Sequence, residues 1–150
     1  MTQERITLTA TAPAVYRAIN ALDESATFDP TIRELVRIRA SQINGCTYCM
    51  DYHSGDALTA GEDVRRLLVL NNWRETPLFD DRERAALALA EAMTRLPDAG
   101  VPDAVYADAA AQFDAEELGN LIGVIIAINA WNLLGVATGL QPPVEAAVAS

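Results

Sequence analysis

The chain has 150 residues, of which 51% are apolar and only 6% are aromatic. This composition favours one domain, residues 1–150, whose core is built from helices packed on helices rather than from sheets. The 21 acidic residues outnumber the 11 basic ones, which gives a formal net charge of −10. That charge argues against binding to nucleic acid or to anionic membrane surfaces. The first residues show no signal-peptide pattern, so we expect a cytoplasmic protein.

The spacing of apolar residues predicts an all-α, single-domain bundle of about six to seven helices. Asn44-Gly45 is a typical helix end, and Asp80-Asp81 is a typical helix start. The last helix is apolar nearly all round, so it requires cover from the chain's other helices or from a second subunit. Its asparagines argue against a membrane span. The predicted helices cover residues 11–22, 31–43, 47–60, 62–71, 80–96, 102–111 and 115–135, with a loop at 73–79.

All of the chain's thiols and its single imidazole lie within eight consecutive residues. These are Cys46, Cys49 and His53 in the segment Cys-Thr-Tyr-Cys-Met-Asp-Tyr-His. On a helix, offsets of three and seven residues return to nearly the same face, so the three side chains are predicted to form one stripe. Tyr48 and Tyr52 are expected to point elsewhere.

This stripe has the properties of a redox-active dithiol. The first turn of a helix stabilises a thiolate through its free N–H groups and its dipole. The Cys-x-x-Cys spacing lets Cys46 and Cys49 close a disulfide, so one cysteine can attack an oxidant and the other can resolve the product. His53 lies one turn beyond Cys49 and can take or relay a proton.

Other interpretations of these residues remain open at this point. Cys46, Cys49 and His53 could be three ligands of a zinc ion, with Glu34 or Asp51 as the fourth. The cysteines could also be inert and buried. Glu34, taken alone, is best explained as one member of a surface ion pair with Arg37, three residues further on. The spacing does not decide which cysteine attacks first.

The segment from Glu34 to His53, Glu-Leu-Val-Arg-Ile-Arg-Ala-Ser-Gln-Ile-Asn-Gly-Cys-Thr-Tyr-Cys-Met-Asp-Tyr-His, closely resembles the core motif of AhpD-like alkylhydroperoxidases of the carboxymuconolactone decarboxylase superfamily. That motif is a glutamate, eleven residues, Cys-x-x-Cys, three residues and a histidine. The resemblance covers roughly residues 30–142, including an amphipathic segment at 78–96 and a closing Ala-Trp-Asn and Ala-Thr segment at 128–139.

The resemblance implies an all-α fold that assembles as a homotrimer or homohexamer, and a thiol-dependent reduction of hydroperoxides. In the family pattern Cys49 attacks the hydroperoxide and becomes a sulfenic acid, and Cys46 resolves it to a disulfide. Glu34, His53 and Cys46 match the family's proton relay. The expected reductant is a thioredoxin-like or lipoyl-type dithiol, and no cofactor or metal is expected. AhpD itself has a histidine where this chain has Tyr48, which is a poorer proton shuttle at neutral pH.

Two other functions fit the same sequence. One is a lyase of the decarboxylase branch, which acts by acid–base chemistry and typically lacks the cysteine pair. The other is a redox sensor or scaffold protein that cycles its dithiol without substantial turnover.

Overall fold

The computed structural model describes residues 5–144. Within that range the chain forms nine α-helices and one 3-10 helix, and it contains no strand. The all-α prediction is confirmed. The helices are α1 (Leu8–Thr11), α2 (Pro13–Ser25), α3 (Pro30–Asn44), α4 (Thr47–Thr59), α5 (Val64–Val69), the 3-10 helix (Leu70–Glu75), α6 (Asp81–Thr94), α7 (Leu96–Ala99), α8 (Asp103–Gln112) and α9 (Ala115–Thr138).

The long helix α9 is the element around which the other helices pack. It starts with a capping box, in which the side chains of Asp114 and Glu117 each accept a backbone N–H, and it ends at Gly139 in the left-handed conformation. Helices α2, α3, α4, α6 and α8 all contact it. With a mean hydropathy of 1.9, α9 is long and apolar enough to span a membrane by length and composition alone. The core helix of a globular fold meets the same criterion.

Helix α3 leads directly into the cysteine segment, and nine of its residues are buried. Asp29 caps its start by accepting the N–H of Ile32 at 3.0 Å, and Pro30 occupies its first turn. Leu35 and Val36 are fully buried, whereas Ile43 is half-buried. Gly45, with φ of 69°, ends the helix and lets the chain turn directly into α4.

A chain of polar side chains fixes α3 against α9. The amide of Asn132, which is fully buried, donates to Ser41 Oγ at 2.9 Å. Asn44 Nδ2 donates to the side-chain oxygens of Asn132 and Asn129, at 3.0 and 2.8 Å. Two of the asparagines that interrupt the apolar sequence of α9, Asn129 and Asn132, are therefore bonded to α3 and set how α9 lies on it.

The predicted number of helices was slightly too low. Helices α1 and α7 are only four residues long, which is too short to produce an apolar period. The segment predicted as one helix at 62–71 is α5 followed directly by the 3-10 helix, which also takes in the first part of the predicted loop. Trp73, placed in that loop by the prediction, is buried in the 3-10 helix.

Candidate active site

Cys46 and Cys49 form a disulfide at the start of α4. Cys46 is the N-cap residue of the helix, and the two Cα atoms are 5.3 Å apart. The Cys46 sulfur also accepts the backbone N–H of Cys49 at 3.3 Å. Because this N–H lies at the positive end of the helix dipole, the helix start stabilises negative charge on the Cys46 sulfur once the disulfide is reduced.

Helix α9 covers the inner side of the disulfide through a glycine. A Cβ atom at Gly135 would lie 2.8 Å from Cys46 Sγ and 3.6 Å from Cys49 Sγ. The first distance is too short for a carbon–sulfur contact, so a side chain at this position would displace the sulfur or the helix. Glycine lets the backbone of α9 lie directly against the disulfide.

A buried carboxylate and imidazole lie beside the cysteines. His53 Nδ1 and Glu34 Oε2 are 2.8 Å apart, and each residue is only 7% exposed. Burial raises the pKa of the Glu34 carboxyl, but the hydrogen bond and charge of His53, together with Arg37, outweigh it and lower the pKa. An ionised carboxylate can only accept, so Nδ1 is the donor in this hydrogen bond and Nε2 is the nitrogen left to take up or release a proton.

Arg37 and Asp23 extend the hydrogen-bonded pair of Glu34 and His53. Arg37 Nη1 donates to Glu34 Oε1 at 2.8 Å, and Arg37 Nη2 donates to Asp23 Oδ1 at 2.6 Å. Asp23, Arg37, Glu34 and His53 therefore form a continuous row of alternating acids and bases that links α2, α3 and α4.

A cavity of about 210 Å³ opens onto the disulfide. Cys49 and His53 line it, whereas Cys46 and Glu34 are not among its lining residues. Four aromatic side chains form two pairs in its wall, with ring centroids 6.1 Å apart for Tyr48 and Tyr52 and 5.2 Å apart for Tyr16 and Trp131. The other lining residues are Asn20, Asp23, Leu134 and Leu140.

The comparison with known families agrees with the motif. The sequence model of the carboxymuconolactone decarboxylase family matches residues 2–92, which is more than half of the chain. This chain belongs to that family. The AhpD-like membership expected from the motif is confirmed.

Individual relatives cover most of the chain. The uncharacterized protein YdfG of Bacillus subtilis (strain 168) is 38% identical over 116 residues, or 77% of this chain and 79% of YdfG. The uncharacterized protein YnjA of Escherichia coli (strain K12) is 39% identical over 97 residues, or 65% of this chain and 53% of YnjA. The crystal structure of ATU0492 from Agrobacterium tumefaciens, a protein of unknown function described as a putative antioxidant defence protein AhpD, has a TM-score of 0.91. It is 32% identical, and the match covers 95% of this chain and all of that one.

In this member of the carboxymuconolactone decarboxylase family the four predicted site residues lie together. Cys46 and Cys49 are bonded to each other, and Glu34 bonds His53, which shares the cavity with Cys49. The surface-pair interpretation of Glu34 is wrong in one respect. Glu34 does pair with Arg37, but both residues are buried.

One expectation about neighbouring residues is wrong. Tyr48 and Tyr52 were expected to point away from the cysteines, yet both line the cavity, because its wall extends over more of α4 than the single stripe. Asp51, a candidate zinc ligand, is exposed and lies outside the group formed by Glu34, His53 and Asp56, whose donor atoms are within 4.8 Å of one another. In this oxidised form both sulfurs are bonded to each other, so neither is a thiolate ligand for zinc.

Several residues around the cavity and the disulfide were not predicted as part of the site. Tyr16 and Asp23 come from α2, and Trp131 and Gly135 come from α9, so sequence separation hid them from an analysis of the cysteine segment. One signal was present in the sequence. A glycine inside a long apolar helix lowers helix stability, and it often marks a close approach of the backbone to another group.

Proposed function

We propose that this protein is a thiol-dependent peroxidase that reduces hydroperoxides through a Cys49 sulfenic acid and a Cys46–Cys49 disulfide. The observation that carries the proposal is that Cys49 and His53 line one cavity, while Cys46 lies behind them against α9. A substrate in the cavity therefore meets the sulfur that has a proton acceptor one helical turn away. The fold shared with ATU0492 supports the same interpretation.

The first half-reaction oxidises Cys49. His53 Nε2 takes the proton of the Cys49 thiol, and the thiolate attacks the terminal oxygen of the hydroperoxide. The O–O bond breaks, and the leaving alkoxide takes the proton from His53 and departs as an alcohol. Glu34 stabilises the imidazolium between the two proton transfers, in the manner of the third group of a catalytic triad.

The second half-reaction forms the disulfide and then reduces it. The Cys46 sulfur attacks the Cys49 sulfur, the S–O bond breaks, and the hydroxide leaves as water with the Cys46 proton. A thioredoxin-like or lipoyl-type dithiol then attacks Cys49, the sulfur that faces the cavity. Cys46 leaves as a thiolate stabilised by the Cys49 N–H, and the second thiol of the reductant releases Cys49.

We also propose that the protein is a homotrimer or homohexamer in the cytoplasm. Helix α9 supports assembly, because Ile126, Leu133 and Val136 lie exposed on it and Leu133 is 73% exposed. Light scattering is expected to give a mass of three or six chains, and Leu133→Glu is expected to lower it. A monomeric wild-type protein would contradict this assignment.

Peroxide consumption with a dithiol reductant tests the proposed function. The chain has only two cysteines, so each single serine variant leaves one defined thiol. Cys49→Ser is expected to abolish consumption entirely. Cys46→Ser is expected, when no reductant is added, to consume one equivalent of peroxide per chain and then to stop, because the resolving thiol is missing.

Three experimental outcomes would overturn the proposal. Wild-type turnover by Cys49→Ser would refute the role of Cys49. Activity on a lactone acid that survives alkylation of both thiols would indicate a lyase of the decarboxylase branch. Formation of the disulfide by peroxide without turnover, with every dithiol tested, would indicate a redox sensor or scaffold protein.

A further inference from the structure

The Glu34 carboxylate is held by a different group at each of its two oxygens. Oε2 bonds His53 at 2.8 Å, and Oε1 bonds Arg37 at 2.8 Å. Arg37 is itself 93% buried, and its other terminal nitrogen bonds Asp23 at 2.6 Å. The buried Nε of Arg37 has no partner among residues 5–144, so the two carboxylates alone fix its guanidinium.

We propose that Arg37, anchored by Asp23, is a positioning residue that holds Glu34 in the orientation that sets the protonation of His53. This inference rests on the proposed function of Cys49 and His53 and adds residues to it. Arg37 and Asp23 touch neither sulfur. Their effect reaches Cys49 only through Glu34 and His53.

The planar guanidinium is suited to this role. Arg37 presents parallel N–H groups in a fixed fork, so bonding Asp23 with one terminal nitrogen fixes the direction of the other. Without that donor, Glu34 Oε1 would lie buried with a weaker partner, and the carboxylate could rotate away from Nδ1. His53 would then lose the acceptor that keeps its proton on Nδ1.

The other charged groups around Glu34 cannot replace Arg37. On its own helix and on α4, Glu34 faces Arg33, Arg37, His53 and Asp56. The Arg33 Nε atom is 3.5 Å from Oε1, and its side chain is one-third exposed. Arg66 lines a second cavity together with Glu34, but it is already paired there with Glu62 and Glu83. Arg37 is therefore the buried cation in contact with Glu34.

Asp23 connects Arg37, and through it Glu34, to the wall of the cavity. It belongs to α2, which has no fully buried residue, and it lines the same cavity as Cys49. The ion pair between Asp23 and Arg37 ties this lightly anchored helix to α3. A displacement of α2 would therefore reach Glu34 through two short hydrogen bonds and His53 through a third.

The test compares Arg37→Met, Arg37→Lys and Asp23→Asn with Arg39→Met as the matched control. Arg39 lies on the same helix and is buried to a similar extent, but it pairs with Glu91 at 2.7 Å. His53 is the chain's only histidine, so ¹⁵N-histidine labelling reports its imidazole without overlap. A second readout is the pH dependence of Cys49 alkylation in reduced Cys46→Ser backgrounds. Neither readout requires peroxide turnover.

We expect one Nδ1–H tautomer in the wild type and in Arg39→Met, and a mixture of tautomers in Arg37→Met. The acidic limb of the alkylation profile is expected to move up by about one pH unit in Arg37→Met, because a His53 imidazole that has lost its carboxylate partner takes the Cys49 proton less readily, and such a partner typically shifts a titration by 1–3 units. Arg37→Lys should bring the alkylation profile part of the way back to that of the wild type. Asp23→Asn should give a smaller shift than Arg37→Met, in the same direction. The last two variants test the proposal even if Arg37→Met does not fold.

The inference fails if Arg37→Met or, where that variant does not fold, Asp23→Asn retains the wild-type tautomer and alkylation profile as Arg39→Met does. That failure differs from a failure of the proposed function. If peroxide is not reduced but Arg37→Met still shifts the tautomer, Arg37 positions Glu34 at a site with another activity. If peroxide is reduced and Arg37→Met behaves as Arg39→Met does, Arg37 has a structural role only.

Discussion

The approach of α9 to the disulfide at Gly135 can be tested by two alanine substitutions in the same helix. At Gly135 a new Cβ would lie 2.8 Å from Cys46 Sγ, whereas at Gly119 it would meet nothing within 4 Å. Replacing glycine by alanine inside a helix stabilises it by about 0.5–1 kcal/mol. Overpacking a well-packed interior costs about 1–3 kcal/mol. Gly119→Ala should therefore be stabilising, and Gly135→Ala should be less stable than Gly119→Ala by about 1–3 kcal/mol.

Urea denaturation of the oxidised proteins, followed by circular dichroism, measures this difference. Thiol titration before each experiment confirms that the disulfide is intact. In the reduced protein the Cys46 side chain can rotate away from α9, so the difference between the two variants should become smaller. If Gly135→Ala is stabilised as much as Gly119→Ala in the oxidised form, then α9 does not lie against the disulfide as described.

Three further predictions concern the surroundings of the site. Asn132→Ala should lower the free energy of unfolding by about 1–3 kcal/mol, because it leaves the buried Ser41 hydroxyl with one partner fewer. Reduction of the disulfide should change the fluorescence of Trp131, which packs against the buried cluster that contains both cysteines, and Trp73→Phe should retain that change. The free energy of unfolding of Glu91→Gln should fall less than that of the wild type as the pH is lowered into the acid range. Burial raises the pKa of Glu91, but hydrogen bonds from Arg74, Trp73 and Arg39 lower it overall.

The sign of the acid effect follows from the lowered pKa of Glu91. A carboxyl whose pKa is lower in the folded state contributes stability above its unfolded pKa and loses it as the pH falls through the folded value. Urea titrations from pH 7 downward should therefore show wild-type stability falling below about pH 4.5, the usual range of a glutamate, with a shallower fall in Glu91→Gln. An equal slope in both proteins would contradict the assignment. If Asn132→Ala unfolds with wild-type stability, the prediction for Asn132 is wrong. If Trp73→Phe no longer changes its fluorescence when the disulfide is reduced, the prediction for Trp131 is wrong.

The centre of the candidate site could be predicted because its residues are close in sequence. Glu34, Cys46, Cys49 and His53 lie on two consecutive helices joined at Gly45, so their spacing determines their proximity once the helices are recognised. Helical periodicity is a local property, and α3 and α4 carry clear start and stop signals. Their predicted bounds agree with the structure to within one residue.

The rest of the cavity could not be predicted from these signals. Its walls come from α2 and α9, which reach the cysteines only through tertiary packing. The buried role of Arg37 was hidden for the same reason, because a pair of opposite charges three residues apart is typical of an exposed helix face. The Glu34–Arg37 pair is buried because neighbouring helices cover it. Asp23, fourteen residues before Arg37, also bonds the Arg37 guanidinium. The single-domain organisation stays a prediction.

The central claim is that Cys49 is the cysteine oxidised by peroxide. Treating reduced Cys46→Ser with one equivalent of hydroperoxide and a sulfenic-acid trap, followed by peptide mass spectrometry, tests it most directly. We predict a trapped sulfenic acid on Cys49, and no trapped product when Cys49→Ser is treated in the same way. A product on Cys46 in Cys49→Ser, with none on Cys49 in Cys46→Ser, would show that the roles of the two cysteines are reversed.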